Sequence, residues 1–119
     1  MLGIVMAFVA ATAAVQPATA ASIELAFGNT IVSTYPDGRI SKLWLERDGT
    51  FTAEGRTHKI QGGRWTLKGD NVCMKQLKPF PIPFATYCAP IPQTGIGQSW
   101  PGKAAFTGEP IVNRLVIGR

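Results

Sequence analysis

The chain has 119 residues, 45% of them hydrophobic, with 12 Lys and Arg against 7 Asp and Glu, a formal charge of +5. That length holds one domain of ordinary size and excludes two. Asp37, Glu46, Asp48, Glu54 and Asp70 are threaded among the basic residues between Arg39 and Lys78, which argues against the clustered patch of a nucleic-acid binder. It predicts instead a mildly basic, solvated surface with weak, salt-screened attraction to anionic envelope polymers or lipid headgroups.

The opening MLGIVMAFVAATAAVQPATA has no charged side chain, runs apolar and Ala-rich from Leu2 to Val15, and ends on Ala18-Thr19-Ala20. This small-x-small ending predicts a secretory signal over residues 1–20, cleaved after Ala20, although no Lys or Arg follows Met1 to make the usual basic start. The apolar run is shorter than the roughly 20 residues a membrane anchor requires, and Gln16-Pro17 interrupts it. Removing the first 20 of 119 residues leaves 99, expected to form a single domain over 21–119 that does not span a membrane. SIELAF, residues 22–27, is the one helical candidate: Ser22 can cap the first turn and Gly28 can end it, giving a short N-terminal lid or plug.

After residue 28 helical periodicity is nearly absent, and turn signals arrive every eight to twelve residues, at YPDGR, RDGT, QGG, KGDN, KPFPIP, PQTGIG and TGEP. Short strands between such punctuation predict an antiparallel all-β fold. Three-residue loops at Pro36-Asp37-Gly38 and Arg47-Asp48-Gly49, each with its glycine in the left-handed conformation, set Ile31 opposite Leu43, Leu43 opposite Ala53 and Leu45 opposite Phe51. These five residues then share one apolar face, with Lys42, Glu46, Thr50 and Thr52 turned away. A four-residue loop over 68–71 sets Leu67 opposite Val72 and Trp65 opposite Met74. Folding the next pair about Phe80 and Pro81 sets Met74 across from Tyr87, Val72 across from Ala89 and Cys73 across from Cys88.

Cys73 and Cys88 are the only cysteines. Facing each other on neighbouring strands at a non-hydrogen-bonded position, they are expected to form a disulfide, for which export supplies the oxidising compartment. Closing a loop of about 15 residues contributes roughly 3 kcal/mol by chain entropy, where Pro79, Pro81 and Pro83 weaken strand pairing. A redox dithiol would favour a C-x-x-C spacing, and zinc would need more ligands than the single His58 adds. Beyond residue 90, APIPQTGIGQSWPGK reads as a long loop carrying Trp100, followed by last strands at AAFT and IVNRLVI, the latter with Ile111, Leu115 and Ile117 on one face. Seven or eight strands in up-and-down order predict a small closed or half-open barrel, filled by its side chains or keeping one ligand cavity.

With the strands placed, F-G-N-T at 27, D-G at 37, D-G-T-F at 48, G-G-R-W at 62, K-G-D-N-V-C at 68 and Y-C at 87 form a pattern. It resembles a group of small exported β-barrel proteins of Gram-negative bacteria with no assigned activity, over about residues 27–90. The resemblance implies a periplasmic or secreted lipocalin-like barrel. In lipocalins the G-x-W element lies on the first strand, whereas Gly63-Arg64-Trp65 is mid-chain, so the likeness is one of architecture.

No chemistry-bearing constellation emerges. His58 has no nucleophile or orienting partner in its sequence neighbourhood. Asp37, Asp48 and Asp70 sit in turns, where capping backbone N–H groups accounts for them. TGIGQSW completes neither phosphate-loop pattern and opens no helix. The expectation is a protein that is not an enzyme and has no cofactor or metal. Candidate ligand or partner contacts are Trp44, Trp65, Tyr87 and Trp100. Trp65 and Tyr87 fall on the core face, where packing alone explains them; Trp44 falls on the opposite face, either toward a partner or under the N-terminal segment. The first functional expectation is a non-enzymatic periplasmic module for a small apolar or amphipathic ligand or an envelope component. The second is a protease inhibitor or interaction module presenting KPFPIPF or APIPQTG, which proline pre-orders for binding.

Overall fold

A computed structural model describes residues 23–83, 85–90 and 95–119. The expected signal over 1–20 lies outside the described residues, as does Ser22, the cap of the expected helix. Ile23 to Asn29 fold back on themselves: the Ala26, Phe27 and Asn29 amides donate to the carbonyls of Ile23, Glu24 and Ala26.

Eight strands follow: β1 (Thr30–Thr34), β2 (Ile40–Leu45), β3 (Thr50–Glu54), β4 (Ile60–Lys68), β5 (Asn71–Lys78), β6 (Tyr87–Pro90), β7 (Ser99–Lys103) and β8 (Pro110–Val116). They form one antiparallel sheet in the order β6-β5-β4-β3-β2-β1-β8-β7, which rolls into a nearly closed barrel. Every neighbour in the sheet is a neighbour in sequence except β1 and β8, so the chain is an up-and-down meander whose ends have joined. The seam therefore lies between β6 and β7. The Tyr87 hydroxyl crosses it to donate to the Lys103 carbonyl.

The expected pairings Ile31–Leu43, Leu43–Ala53, Leu45–Phe51, Trp65–Met74, Leu67–Val72, Met74–Tyr87 and Val72–Ala89 are all present. Turn chemistry sets them. Gly38 and Gly49 have φ of 83° and 89°, a conformation a Cβ disfavours. Asp37 Oδ1 accepts from the Arg39 amide and Asp48 Oδ1 from the Thr50 amide, each at 2.9 Å. The loop between β4 and β5 is shorter than expected, with Lys68 already paired to Asn71, but the register beyond it is the same. Between Gly62 and Gly63 the β4–β5 register shifts by a bulge. A Cβ on Gly63 would stand 1.9 Å from the Lys75 carbonyl oxygen and 2.9 Å from the Phe51 ring, so the bulge needs glycine and Phe51 fills the space above it.

Cys73 and Cys88 are paired in register and disulfide-bonded, with Cα atoms 4.0 Å apart, on the short side that marks non-hydrogen-bonded pairs.

Two expectations near the C-terminus are corrected. AAFT is a turn rather than a strand, and the seventh strand is Ser99–Lys103, inside what reads as a Pro- and Gly-rich loop. Pro101 is tolerated because β7 pairs only with β8, so one of its sides has no ladder to join. Ile117 does not share the buried face of Ile111 and Leu115; it lies beyond the end of β8 and is 75% exposed.

The core cluster joins Ile23, Ala26, Ile31, Leu45, Phe51, Val72, Trp100 and Leu115. The segment Ile23 to Asn29 thus plugs the barrel end where β2 finishes and β3 begins. Phe27 packs on Trp65 with ring centroids 5.8 Å apart, and the Arg47 guanidinium covers Phe27 and pairs with Glu24. Hydrogen bonds tie the chain's end to the same place: Thr30 Oγ1 donates to the Gly118 carbonyl, and the Gly118 amide donates to Asn29 Oδ1. Among the described residues no helix is long and apolar enough to cross a membrane.

Candidate functional site

Inside the barrel is a cavity of about 340 Å³ lined by residues from all eight strands. It exists because small residues occupy inward positions on several strands: Ser33, Ser41, Ala53 and Ala89 line it, and Gly63 and Gly102 share that face by register. A barrel of eight strands is otherwise just wide enough for large side chains to fill it.

The cavity is graded along the barrel axis. Its floor, against the plug, is Leu45, Phe51, Val72 and Trp100. Nearer the mouth, Ser33, Ser41, Gln61, Gln76 and Asn113 add uncharged polar groups. Ser33 Oγ donates to Asn113 Oδ1 at 2.6 Å, which leaves the Asn113 amide nitrogen beside β7, 2.6 Å from where a Cβ on Gly102 would stand. Two charged residues border the cavity, Lys42 and Glu54, a cross-strand pair at outward register positions. The inward ladder positions that line it are uncharged at neutral pH.

The mouth lies at the end opposite the plug, where the turns after β1, β3 and β7 and the loop after β5 project. Arg56 braces three of these elements: it pairs with Asp37 at 3.2 Å and Glu109 at 3.0 Å, and its guanidinium stacks 3.9 Å from the Tyr35 ring centre. The hydrogen bond from the Arg39 amide, with the charges of Arg56 and Arg39, holds the Asp37 carboxyl below its ordinary range. At the other end, the Thr50 hydroxyl and amide do the same for Asp48.

The four aromatic candidates are divided among three environments. Trp100 is buried on β7 and Tyr87 half-buried on β6, and both line the cavity. Burial pushes the Tyr87 phenol above its ordinary pKa, with a further push from charge on Tyr35. Trp65 lies at the plug, outside the cavity lining, where its Nε1 donates to the Glu46 carbonyl at 2.9 Å. Trp44 is half-buried on the outer face: its Nε1 donates to Thr30 Oγ1, and the cover over its ring comes from Arg119 at the C-terminus, 5.7 Å away. Sequence reasoning missed the polar ring of Ser33, Ser41, Gln61 and Asn113. The signal was present as small or polar residues at alternate positions that should carry core side chains.

His58 is 86% exposed in the turn before β4, with Glu54 3.8 Å from Nδ1. Among the described residues no three His, Cys, Asp or Glu side chains gather in a way that could hold a metal ion. Compared with protein-family models, curated proteins and solved structures, the chain matches none.

Proposed function

We propose that this protein is a non-enzymatic, exported binding module whose barrel holds one small, uncharged amphipathic molecule. The cavity carries the reading: about 340 Å³, within the range of small-molecule sites, with an apolar floor and an uncharged polar mouth. A charged ligand would sit opposite no inward counter-charge, and an unpaired buried charge is strongly unfavourable. A neutral tail on Leu45, Phe51 and Trp100, with a hydroxyl or amide head among Ser33, Gln61 and Asn113, leaves no such penalty. Tyr87 and Trp100 are then ligand contacts, whereas Trp65 and Trp44 serve the plug and the outer wall.

Cleavage after Ala20 and a periplasmic or secreted location belong to the same reading, supported by the disulfide, which is compatible with an oxidising compartment. So does the lipocalin-like character, which rests on a barrel with a single open end.

Native mass spectrometry of the purified protein, with titration of Trp fluorescence by medium-chain alcohols and monoglycerides, tests the proposal. One bound molecule per barrel is expected, weakened by Ala53→Phe and Ala89→Phe, which fill the cavity. No added mass, and no response of either variant or the parent to the panel, would sink it.

The inhibitor or interaction reading retains one supporting observation. Phe80 is 63% exposed between Pro79 and Pro81, the form of a pre-ordered recognition loop. It requires a stable complex with a periplasmic or secreted protease that is lost when residues 79–83 become Gly and Ser.

A further inference from the structure

The rim of the open end carries exposed apolar side chains that the packing of the core does not use. Phe106 is 82% exposed, the highest of the exposed large hydrophobic side chains. Its backbone has φ of 69°, a left-handed conformation disfavoured for a bulky residue. The Thr107 amide donates to the Ala105 carbonyl at 2.8 Å and the Gly108 amide to the Ala104 carbonyl at 3.0 Å, so the turn is pinned on both sides with Phe106 at its apex. Strained backbone and an exposed phenyl ring coincide at one position beside the cavity mouth.

Across the seam, the loop after β5 presents Phe80. Gln76 Nε2 donates to the Phe80 carbonyl at 3.2 Å, and the Ile82 amide donates back to the Gln76 carbonyl. Both loops border the cavity, one through Ile82 and Ala85, the other through Ala104 and Phe106. The strands that carry them, β5 and β7, end in Lys78 and Lys103. Neither lysine forms an ion pair among the described residues, whereas Glu109, the acid of the β7–β8 turn, is held by Arg56. The seam side of the rim therefore has two exposed phenyl rings in its loops, a lysine at the end of each strand that carries them and, among the described residues, no unpaired carboxylate.

We propose that this seam-side rim docks on the surface of an anionic lipid bilayer, with Phe80 and Phe106 at the acyl boundary and Lys78 and Lys103 among the headgroup phosphates. Charge complementarity and the order along the chain select this occupant: each exposed ring lies in a loop and each cation at the end of the strand before it, a pairing of apolar and cationic groups that suits the acyl boundary and headgroups of an anionic bilayer interface. Docked in this way, the cavity mouth faces the lipid, so an amphipathic molecule moves between membrane and barrel without crossing water. The docking itself needs no occupant in the cavity and stands apart from the ligand reading.

Co-sedimentation with large vesicles tests it, comparing phosphatidylcholine alone with equal parts phosphatidylcholine and phosphatidylglycerol, at low salt and at 0.5 M salt. Binding to the anionic vesicles is expected, weakened by salt as the screening length shortens. Phe106→Ser and Phe80→Ser should each lower the partition about tenfold, the loss of one inserted ring. Lys78→Glu combined with Lys103→Glu should abolish the preference for anionic lipid. Ile117→Ser, at the plugged end, serves as the exposed-hydrophobe control and should leave binding unchanged. Near-ultraviolet circular dichroism checks that each variant is folded. Binding that is absent, indifferent to lipid charge, unaffected by the two Phe substitutions, or reduced equally by Ile117→Ser overturns the proposal, as does a Phe80-dependent protease complex without vesicle binding.

Discussion

At one end of the barrel, Ile23 and Ala26 are each 3% exposed and close the interior against Leu45, Phe51 and Trp100. At the other, Phe106 is 82% exposed and the interior continues into a cavity. Both ends are made of antiparallel turns, and both have an arginine over an aromatic ring with a carboxylate partner: Arg47 over Phe27 with Glu24, and Arg56 over Tyr35 with Asp37 and Glu109. The difference is the source of the cover. At the plugged end Ile23 and Ala26, which enter β1 from outside the sheet, turn apolar side chains into the core cluster, whereas the longer connections at the mouth, 79–86 and 104–109, leave Phe80 and Phe106 exposed. Among the described residues such a segment covers one end of the eight-stranded barrel, which is filled there and keeps a cavity toward the other.

The largest effect that tests this contrast is at the plugged end. Leu45→Ala should cost about 2–5 kcal/mol in denaturant unfolding, because Leu45 is 1% exposed and surrounded. Leu43→Ala should cost less, about 1–2 kcal/mol, since Leu43, two residues nearer the mouth, is only half-buried and so loses fewer packing contacts than Leu45 in the floor. Equal losses would mean that the two ends are packed alike.

Replacing both Cys73 and Cys88 by Ser should remove roughly 3 kcal/mol, the chain-entropy value for a loop of about 15 residues. The disulfide ties β6 to β5 at the edge of the seam. Amide exchange should therefore accelerate more in 85–90 than in the paired positions of β2 and β3.

The two arginines give a smaller, direct comparison. Arg56→Ala should cost about 1 kcal/mol, since its side chain is 28% exposed and braces three elements, while Arg47→Ala, with a side chain 67% exposed, should cost less than about 0.5 kcal/mol. A reversed order would place the stronger brace at the plug.

Acid should act on both ends alike, with the least effect. Asp37 at the mouth and Asp48 at the plug both have lowered folded-state pKa values, so their stabilisation is present above the unfolded value of about 3.9 and is lost as pH falls through the folded values. Thermal midpoints of Asp37→Asn and Asp48→Asn should thus fall below the parent near pH 6 and converge with it toward pH 2. For Tyr87 the sign is opposite: its folded value is raised, so its contribution holds below about pH 10 and declines as pH rises through the folded value.

Most of the sheet was legible along the chain because hairpins are local. Pro36-Asp37-Gly38 and Arg47-Asp48-Gly49 state loop length, loop length sets register, and register sends alternate residues inward. The Cys73–Cys88 pair follows from the same arithmetic. The reasoning failed at β7, where Pro101 and Gly102 read as breakers; an edge strand at a seam tolerates both, and which strand forms the edge is a property of the closed sheet. Likewise the register places Tyr87 on the core face, where it lies, but nothing local distinguishes an inward residue packed against a neighbour from one that borders a void.

The sequence by itself determined the strands from β1 to β6, the facing residues of the β1–β2, β2–β3, β4–β5 and β5–β6 hairpins and the sulfur pair, all set by interactions between residues close along the chain. Only the tertiary structure decided that β1 joins β8, that the seam falls between β6 and β7, that one end is plugged and that the other leaves about 340 Å³ empty. These depend on how strands far apart in sequence curve around a common axis and whether their inward side chains, summed over the whole circumference, fill it.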